Sequence, residues 1–310
     1  MFPPSCKLSF RRPPRAAGLL ILALSTGACE PADPPSLQSV LDSLAATSGA
    51  EVGIVYRTLD GRDSALVNPD LRMHAASTMK VPVMLQLVLD HEAGLLDLDG
   101  TLPVETTFHS ILDGSAYRLD AGSDSDSALY RRAGEAVTRR ELMDRMITRS
   151  SNLATNLLIR EVDPRRVTET LRALGADSME VLRGVEDIPA FEAGLSNTTT
   201  ARDLALVMEA VVGDDRISTA GREEMLDILR RQHFRENIPA GLPPGTDVAN
   251  KTGWITGINH DAAVIFPRDA APYVLVVLLR GHPAEDQGTA FAARISRTVW
   301  EHHVSGRDPQ

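Results

Sequence analysis

Lysine is scarce in this 310-residue sequence: it occurs at Lys7, Lys80 and Lys251, and arginine supplies the other 29 of the 32 basic residues. Arginine therefore suffices wherever only positive charge is needed. An arginine side chain stays protonated, whereas a lysine can lose its proton when it is buried. The retained lysines therefore mark candidate positions for acid–base chemistry.

Cysteine is almost absent as well, with Cys6 and Cys29 as the two in the chain. Cys6 lies in a segment that resembles a removable export signal, so the mature chain would keep one cysteine and form no internal disulfide. The eight histidines follow no metal-binding spacing such as HExxH, and clustered cysteines are missing. We therefore expect neither a metal nor another cofactor.

The sequence also lacks an N-terminal apolar run long enough to stay as a membrane span. Residues 16–24 (AAGLLILAL) are too few to cross a bilayer, but they follow a basic head and precede small residues. This pattern predicts an export signal over residues 1–28 and a mature protein in the periplasm or cell envelope. Cys29 follows Thr26-Gly27-Ala28, which resembles a bacterial lipobox, so lipid attachment to Cys29 and ordinary cleavage after Ala28 both stay open.

The acidic balance of the chain limits its partners. A formal net charge of −10 disfavours nucleic acid and an anionic membrane surface as the main partner. The hydrophobic content of 43% and charged content of 24% are ordinary for a folded soluble protein. We expect a monomer that acts on a small molecule, with membrane attachment only through a lipid on Cys29.

Strand-like segments lie at both ends of the chain, and helical patterns fill the middle. After a linker at residues 29–36, we predict one catalytic domain of two lobes over residues 37–310. Alternating β-branched segments predict strands at residues 52–57, 65–67, 247–255, 261–266 and 273–279. Helical spacing predicts helices at residues 37–46, 81–91, 140–147, 153–160, 167–174, 201–212 and about 284–303.

The simplest packing of these elements is a mixed α/β (α+β) fold. An antiparallel sheet would combine the N- and C-terminal strands, flanked by the first and last helices, and an all-helical lobe would span about residues 77–230. The polar stretch at residues 113–127, rich in glycine and serine, is predicted to be an exposed loop.

Ser77 and Lys80 stand three residues apart in HAASTMKVPVML, at the start of an apolar helical run. Residues i and i+3 of a helix share a face, so the hydroxyl and the amine would face each other. A serine becomes a nucleophile when a neighbouring base removes its proton, and a buried lysine with a lowered pKa can be that base. The Ser-x-x-Lys pattern is common, but this lysine is one of two in the predicted mature chain.

Two further motifs follow in order. The sequence SSN at residues 150–152 precedes an apolar helix, and KTG at residues 251–253 ends a predicted strand. With Ser77 and Lys80, they resemble the three active-site motifs of the penicillin-recognising serine enzymes. The order of strands and helices and the motif spacings most resemble class A β-lactamases, over roughly residues 36–305.

The resemblance implies a role for each motif residue. Ser77 would form an acyl-enzyme, and Lys80 would help to remove its proton. Ser150, steered by Lys251, would protonate the leaving nitrogen. For substrate binding, Asn152 would hold the substrate amide and Thr252 would contact its carboxylate, with Gly253 as the third residue of that motif. The backbone N–H groups of Ser77 and Trp254 would form an oxyanion hole.

Two departures from the family pattern concern structure and substrate. Ser151 replaces the aspartate of the family's usual Ser-Asp-Asn motif, a mostly structural residue. The arginine that clamps the substrate carboxylate, on the strand after Lys-Thr-Gly, has no counterpart, because the segment reads GINHDAAVIF with Asn259, His260 and Asp261.

A third departure concerns the glutamate that activates water for deacylation. Glu186 lies 36 residues after Ser150, which matches the family distance. Glu192 instead matches the local Glu-x-x-Leu-Asn pattern, with Ser196 in place of the asparagine. We expect Glu186 to be the base, since loop length from a fixed serine constrains position directly, with Glu192 as the alternative.

Three functions are consistent with this resemblance. The expected one is a serine hydrolase that opens a β-lactam amide through a Ser77 acyl-enzyme and then hydrolyses it, which would confer antibiotic resistance. A related serine esterase or D-amino-acid peptidase would use the same first step on another acyl group. A β-lactam sensor would be acylated without turnover. The fate of the acyl-enzyme distinguishes the three.

Overall fold

The computed structural model of the chain describes Met1, residues 35–282 and residues 284–305. The predicted export signal after Met1, the lipidation candidate Cys29 and the predicted linker up to residue 34 lie outside these residues. No helix in the described ranges combines the length and the apolar character needed to cross a membrane.

A five-stranded antiparallel sheet joins the two ends of the sequence. Its strands lie in the order β2-β1-β11-β10-β9. The first two strands form a hairpin, and β1 pairs in register with β11 more than 200 residues later, from Glu51 opposite Arg280 to Thr58 opposite Tyr273. The strand bounds are β1 Glu51–Thr58, β2 Ser64–Val67, β9 Asp247–Ile255, β10 Ile258–Phe266 and β11 Tyr273–Arg280.

The alternation of side chains along β11 sends apolar residues to both faces of the sheet. Leu275, Val277 and Leu279 pack with the first helix, α1 (Leu37–Thr47), and the last helix, α10 (Glu285–Ser305). Val274, Val276 and Leu278 pack against the helical lobe instead. Both faces are therefore covered, which explains why this strand is a continuous apolar run.

The helical lobe lies between β2 and β9 in sequence and holds the larger core. Its long central helix, α2 (Lys80–Glu92), packs against α4, α5, α6, α8 and α9. The helices of this lobe are α3 Ser127–Tyr130, α4 Arg139–Thr148, α5 Asn152–Val162, α6 Pro164–Ala173, α7 Ile188–Glu192, α8 Ala201–Gly213 and α9 Thr219–Arg230, with 3-10 turns at Ala76–Met79 and Ile238–Gly241.

Short antiparallel pairs also occur in this lobe, beyond the helices expected from the sequence. They pair β3 with β8, β4 with β7 and β5 with β6. Their bounds are β3 Met73–His74, β4 Thr101–Pro103, β5 Thr107–His109, β6 Ala116–Arg118, β7 Ala136–Thr138 and β8 Thr198–Thr199. The mixed fold with a terminal antiparallel sheet is confirmed.

The polar stretch at residues 113–127 is not the uniformly exposed loop expected from its composition. It contains β6, and the side chains of Asp124 and Asp126 are 8% and 2% exposed. Asp126 is buried because Arg145 pairs with it at 3.0 Å. Asp124 accepts hydrogen bonds from the Tyr130 hydroxyl and from the Leu153 backbone N–H, both at 2.9 Å.

Candidate active site

Ser77 lies on a tight 3-10 turn between β3 and α2, at the wall of a large cleft. The preceding Ala76 has a φ of +46°, a conformation that costs a non-glycine residue about 1–3 kcal/mol. Two hydrogen bonds hold this turn: the Ala76 N–H donates to His74 Nδ1 at 2.9 Å, and Thr78 Oγ1 donates to the Ala75 carbonyl at 2.6 Å. The strained turn presents the Ser77 hydroxyl to the cleft.

Lys80 begins α2 and is fully buried. Its Nζ donates to the Ser150 carbonyl at 2.5 Å and to Asn152 Oδ1 at 2.9 Å, and it lies 3.3 Å from Ser150 Oγ. Burial lowers the pKa of the amine to about 7, against the opposing fields of Asp124 and Glu186. At neutral pH the amine is therefore partly uncharged, and its two N–H groups can serve the two carbonyl acceptors while the lone pair stays available.

The sequence predicts that the Lys80 amine faces the Ser77 hydroxyl. In the structure the amine hydrogen-bonds to the SSN motif and not to Ser77. Ser77 belongs to a 3-10 turn, and the α-helix starts at Lys80. Side chains three residues apart eclipse in a 3-10 turn, so the expected shared face is compatible with this geometry, and the amine bonds instead to the Ser150 and Asn152 oxygens. Among the described residues, the Ser77 hydroxyl has no hydrogen-bond partner.

Lys251 reaches the same place from β9. Its Nζ donates to Ser150 Oγ at 3.1 Å and to the Thr252 carbonyl at 2.8 Å, and its side chain is fully buried. Burial and the nearby Lys80 hold the pKa of Lys251 well below its ordinary value. The Ser150 hydroxyl thus lies between two buried amines, a position from which it can relay a proton.

Gly253 allows β9 to lie directly against the Ser77 turn. A Cβ at this position would lie 3.0 Å from the Thr78 nitrogen and 3.1 Å from the Ser77 nitrogen, closer than side chains normally approach. The next residue, Trp254, is 53% exposed and lines the cleft. Because β9 is an edge strand of the sheet, some of its N–H groups have no partner strand.

The structure places the two candidate glutamates differently. Glu186 lines the cleft, and its Oε1 accepts a hydrogen bond from Asn152 Nδ2 at 3.2 Å. Its backbone also has a positive φ of +63°. Glu192, at the end of α7, is exposed and does not line this cleft. Of the two candidates, Glu186 is therefore the one whose side chain lines the cleft.

Ser151, which stands where the family has an aspartate, caps a helix. Its Oγ accepts the Ala154 N–H at 3.2 Å at the start of α5. The neighbouring Leu153 N–H is satisfied by the Asp124 carboxylate from another part of the chain. The two side chains together accept two of the first N–H groups of the helix that carries Asn152, so this departure leaves the motif supported.

The cleft has a volume of about 1500 Å³, and its mouth is apolar. Most of the exposed large apolar side chains in the described chain gather there, namely Ile188, Phe191, Phe234, Trp254 and Ile255. Exposed apolar groups beside a few polar ones are typical of a small-molecule site. Within the same described residues, no group of three or more His, Cys, Asp or Glu side chains is arranged to hold a metal ion.

Sequence reasoning missed several residues of the site. His74 and Arg183 line the cleft, and burial lowers the pKa of His74 to about 4, which keeps it neutral as an acceptor for Ala76. The buried Asp124 carboxylate accepts the N–H of Leu153, the residue directly after the SSN motif. None of these residues belongs to a motif. The one usable signal was the dense run of aspartates at residues 120–126.

The sequence and the fold match proteins of known family. Residues 36–303 match the model of the β-lactamase enzyme family. The β-lactamase AST-1 of Nocardia asteroides is 29% identical over 314 residues, covering 94% of this chain and 97% of the relative. A β-lactamase of Bacillus licheniformis is 25% identical, covering 82% and 80%. The solved structure of an ancestral class A β-lactamase (GNCA) has a TM-score of 0.74 at 26% identity, covering 86% and 99%.

Proposed function

This chain belongs to the class A β-lactamase family, whose members are serine hydrolases, and we propose that Ser77 is the residue that its substrate acylates. The observation that carries this assignment is the contact of both buried lysines with one hydroxyl, Ser150 Oγ, beside the Ser77 turn. Two amines in a desolvated site can accept and return protons in a way that solvated lysines cannot.

In the acylation step, neutral Lys80 removes the Ser77 proton while Ser77 Oγ attacks the β-lactam carbonyl carbon. The negative charge that develops on the carbonyl oxygen is stabilised by the backbone N–H groups of Ser77 and Trp254. The C–N bond then breaks, and the nitrogen takes a proton from Ser150. Ser150 recovers a proton from the Lys80 ammonium, with Lys251 holding the hydroxyl in place.

Glu186 is the proposed base for deacylation. The Asn152 side chain links it to the motif that carries Ser150. A water molecule beside Glu186 would lose a proton to the carboxylate while its oxygen attacks the ester carbonyl. The bond between the acyl carbon and Ser77 Oγ would then break, and Ser77 Oγ would take up the proton that Glu186 had accepted. Asn152 also donates toward the substrate amide, and Thr252 faces the leaving-group side.

Intact-mass spectrometry with nitrocefin and benzylpenicillin tests this assignment. Wild type should turn over both, Ser77→Ala should neither turn over nor gain mass, and Glu186→Gln should accumulate a stable adduct. Glu192→Gln, which changes the same charge at an exposed position outside the cleft, should turn over like wild type. A stable adduct in Glu192→Gln with turnover in Glu186→Gln would reverse the assignment.

A stable adduct in wild type would favour the sensor function. Cleavage of p-nitrophenyl esters without reaction of either β-lactam would favour the esterase or peptidase. The observation that favours this second candidate is the cleft itself, which has no arginine beside Thr252 among its described lining residues.

We also propose that residues 1–28 direct export to the periplasm or cell envelope and that Cys29 is a lipid-attachment candidate. The support is the basic head, the short apolar run and the lipobox-like sequence. Labelling with a palmitate analogue and N-terminal mass analysis distinguish a lipidated Cys29 from ordinary cleavage after Ala28. We also propose that the protein is a monomer, and sedimentation measures this directly.

A further inference from the structure

The surroundings of Thr252 are set by the register of two strands. Thr252 on β9 pairs with Asp261 on β10, and Trp254 pairs with Asn259. Directly paired residues of antiparallel strands project to the same face, so Asp261 and Asn259 are the neighbours of Thr252 on that face. A carboxylate and an amide therefore stand where a cation would be needed to bind an anionic substrate group.

Three of the four amide N–H groups at this end of the cleft already have acceptors in the protein. Asn237 Nδ2 donates to Asn259 Oδ1 at 2.7 Å and to the His260 carbonyl at 3.5 Å, and Asn259 Nδ2 donates to Thr289 Oγ1 at 3.0 Å. Asn237 and Asn259 are only 6% and 7% exposed, yet both line the cleft. Asn237 Oδ1 receives no hydrogen bond from the described residues. This end therefore offers the Asn237 Oδ1 acceptor to a ligand.

Two further carboxylates line the same end. Glu236 precedes Asn237 in the chain, and Asp286 lies one turn before Thr289 on α10. Neither forms an ion pair with any residue that the structure describes. Both side chains are exposed, and together they make this end of the cleft negative.

Arg183 is the permanently cationic side chain among the described residues that line the cleft, and it belongs to the wall formed by the loop of Glu186. Its guanidinium donates to the Leu195 and Gly184 carbonyls and stacks on Phe191, all in the loop that carries Glu186. Its charge is therefore used within that loop. The two lysines behind the cleft are buried and bound to Ser150.

We propose that the end of the cleft formed by Glu236, Asn237, Asn259 and Asp286 binds a positively charged group on the leaving-group side of the acyl substrate. The inference rests on the proposed function, because it places the leaving group next to Thr252. Opposite charge and free acceptor atoms favour an ammonium or pyridinium group there, and the same carboxylates repel a second anionic group.

Two cephalosporins with the same 2-thienylacetamido side chain test this proposal. One carries an acetoxymethyl group at C3, and the other a pyridiniummethyl group. After correction for their rates of alkaline hydrolysis, kcat/KM should be at least tenfold higher for the pyridinium compound at low ionic strength. The ratio should shrink in 0.5 M NaCl, because salt screens exposed carboxylates. An equal or reversed corrected ratio overturns the proposal.

Charge-neutralised variants identify the source of the preference. Glu236→Gln combined with Asp286→Asn should lower the ratio at least threefold. The matched control, Glu169→Gln with Asp215→Asn, removes two exposed carboxylates outside the cleft and should leave the ratio unchanged. An unchanged ratio in the cleft variant, or an equal drop in the control, contradicts the proposal.

A gain-of-function variant gives an independent test. Asn237→Arg should raise kcat/KM for benzylpenicillin and reduce the cephalosporin ratio, with folding checked by thermal melting; failure of a folded variant to move either value counts against the proposal. If neither cephalosporin acylates wild type, the proposed function itself fails and this inference with it. If both acylate wild type without a preference for the cation, only this inference fails.

Discussion

Replacing Lys80 by arginine keeps a positive charge at the centre of the site but removes the base. With a pKa of about 7, about half of the Lys80 side chains are neutral at pH 7. An arginine whose pKa exceeds 12 is neutral in about one molecule in 10⁵ or fewer. Binding and the oxyanion donors leave some residual catalysis, so we expect the acylation rate to fall by about 10³–10⁵.

The assay is rapid-quench mass spectrometry of the benzylpenicillin adduct, with folding checked by circular dichroism. Arginine is bulkier than lysine and the site is fully buried, so Lys80→Met serves as a control of similar length. It also lacks the base and should lose acylation to a similar degree while folding normally. Acylation of Lys80→Arg within tenfold of wild type would refute the assignment of Lys80 as the base.

Three further predictions concern the same site. The wild-type acylation rate should rise with pH through about 7, because the neutral Lys80 amine is the active form, and rapid quench from pH 5 to 9 measures this. Burial raises the pKa of Asp261 from 3.8 to about 7. Ionisation of Asp261 therefore lowers the free energy of unfolding progressively as pH rises from about 4 to 7, and the loss stays constant above pH 7. Asp261→Asn should remove that loss, up to about 4 kcal/mol, in urea unfolding compared with wild type at pH 4 and pH 8. Gly253→Ala should lower kcat/KM for nitrocefin about 10–100-fold by pushing β9 off the turn at 3.0–3.1 Å, with thermal melting as the measure of its folding cost.

The elements themselves were largely predictable from the sequence. The sequence predicts a strand at residues 247–255, and β9 runs from Asp247 to Ile255. It predicts a helix at residues 201–212, and α8 runs from Ala201 to Gly213. Strongly periodic segments leave little choice of element. β10 begins at Ile258 rather than at Asp261, because Asn259 and His260 are polar but buried in the sheet. Their burial depends on partners distant in sequence.

The details of the site were less predictable for the same reason. Nothing near Ala76 indicates a positive φ, since that conformation usually calls for glycine and here depends on the His74 ring. The contact of Asp124 with the start of α5 joins residues 29 apart. Motif spacing placed the lysines and serines in one site, but it contained no information on which side chains would surround them.

The central claim is that Lys80 is a partly neutral amine at physiological pH, and the scarcity of lysine makes it directly measurable. A chain that begins at residue 29 contains two lysines, so ¹³C labelling of lysine gives two side-chain signals in an NMR titration. The signal that disappears in Lys80→Met belongs to Lys80. It should titrate near pH 7, far below the ordinary 10.5. A midpoint near 10.5 for that signal would contradict the account.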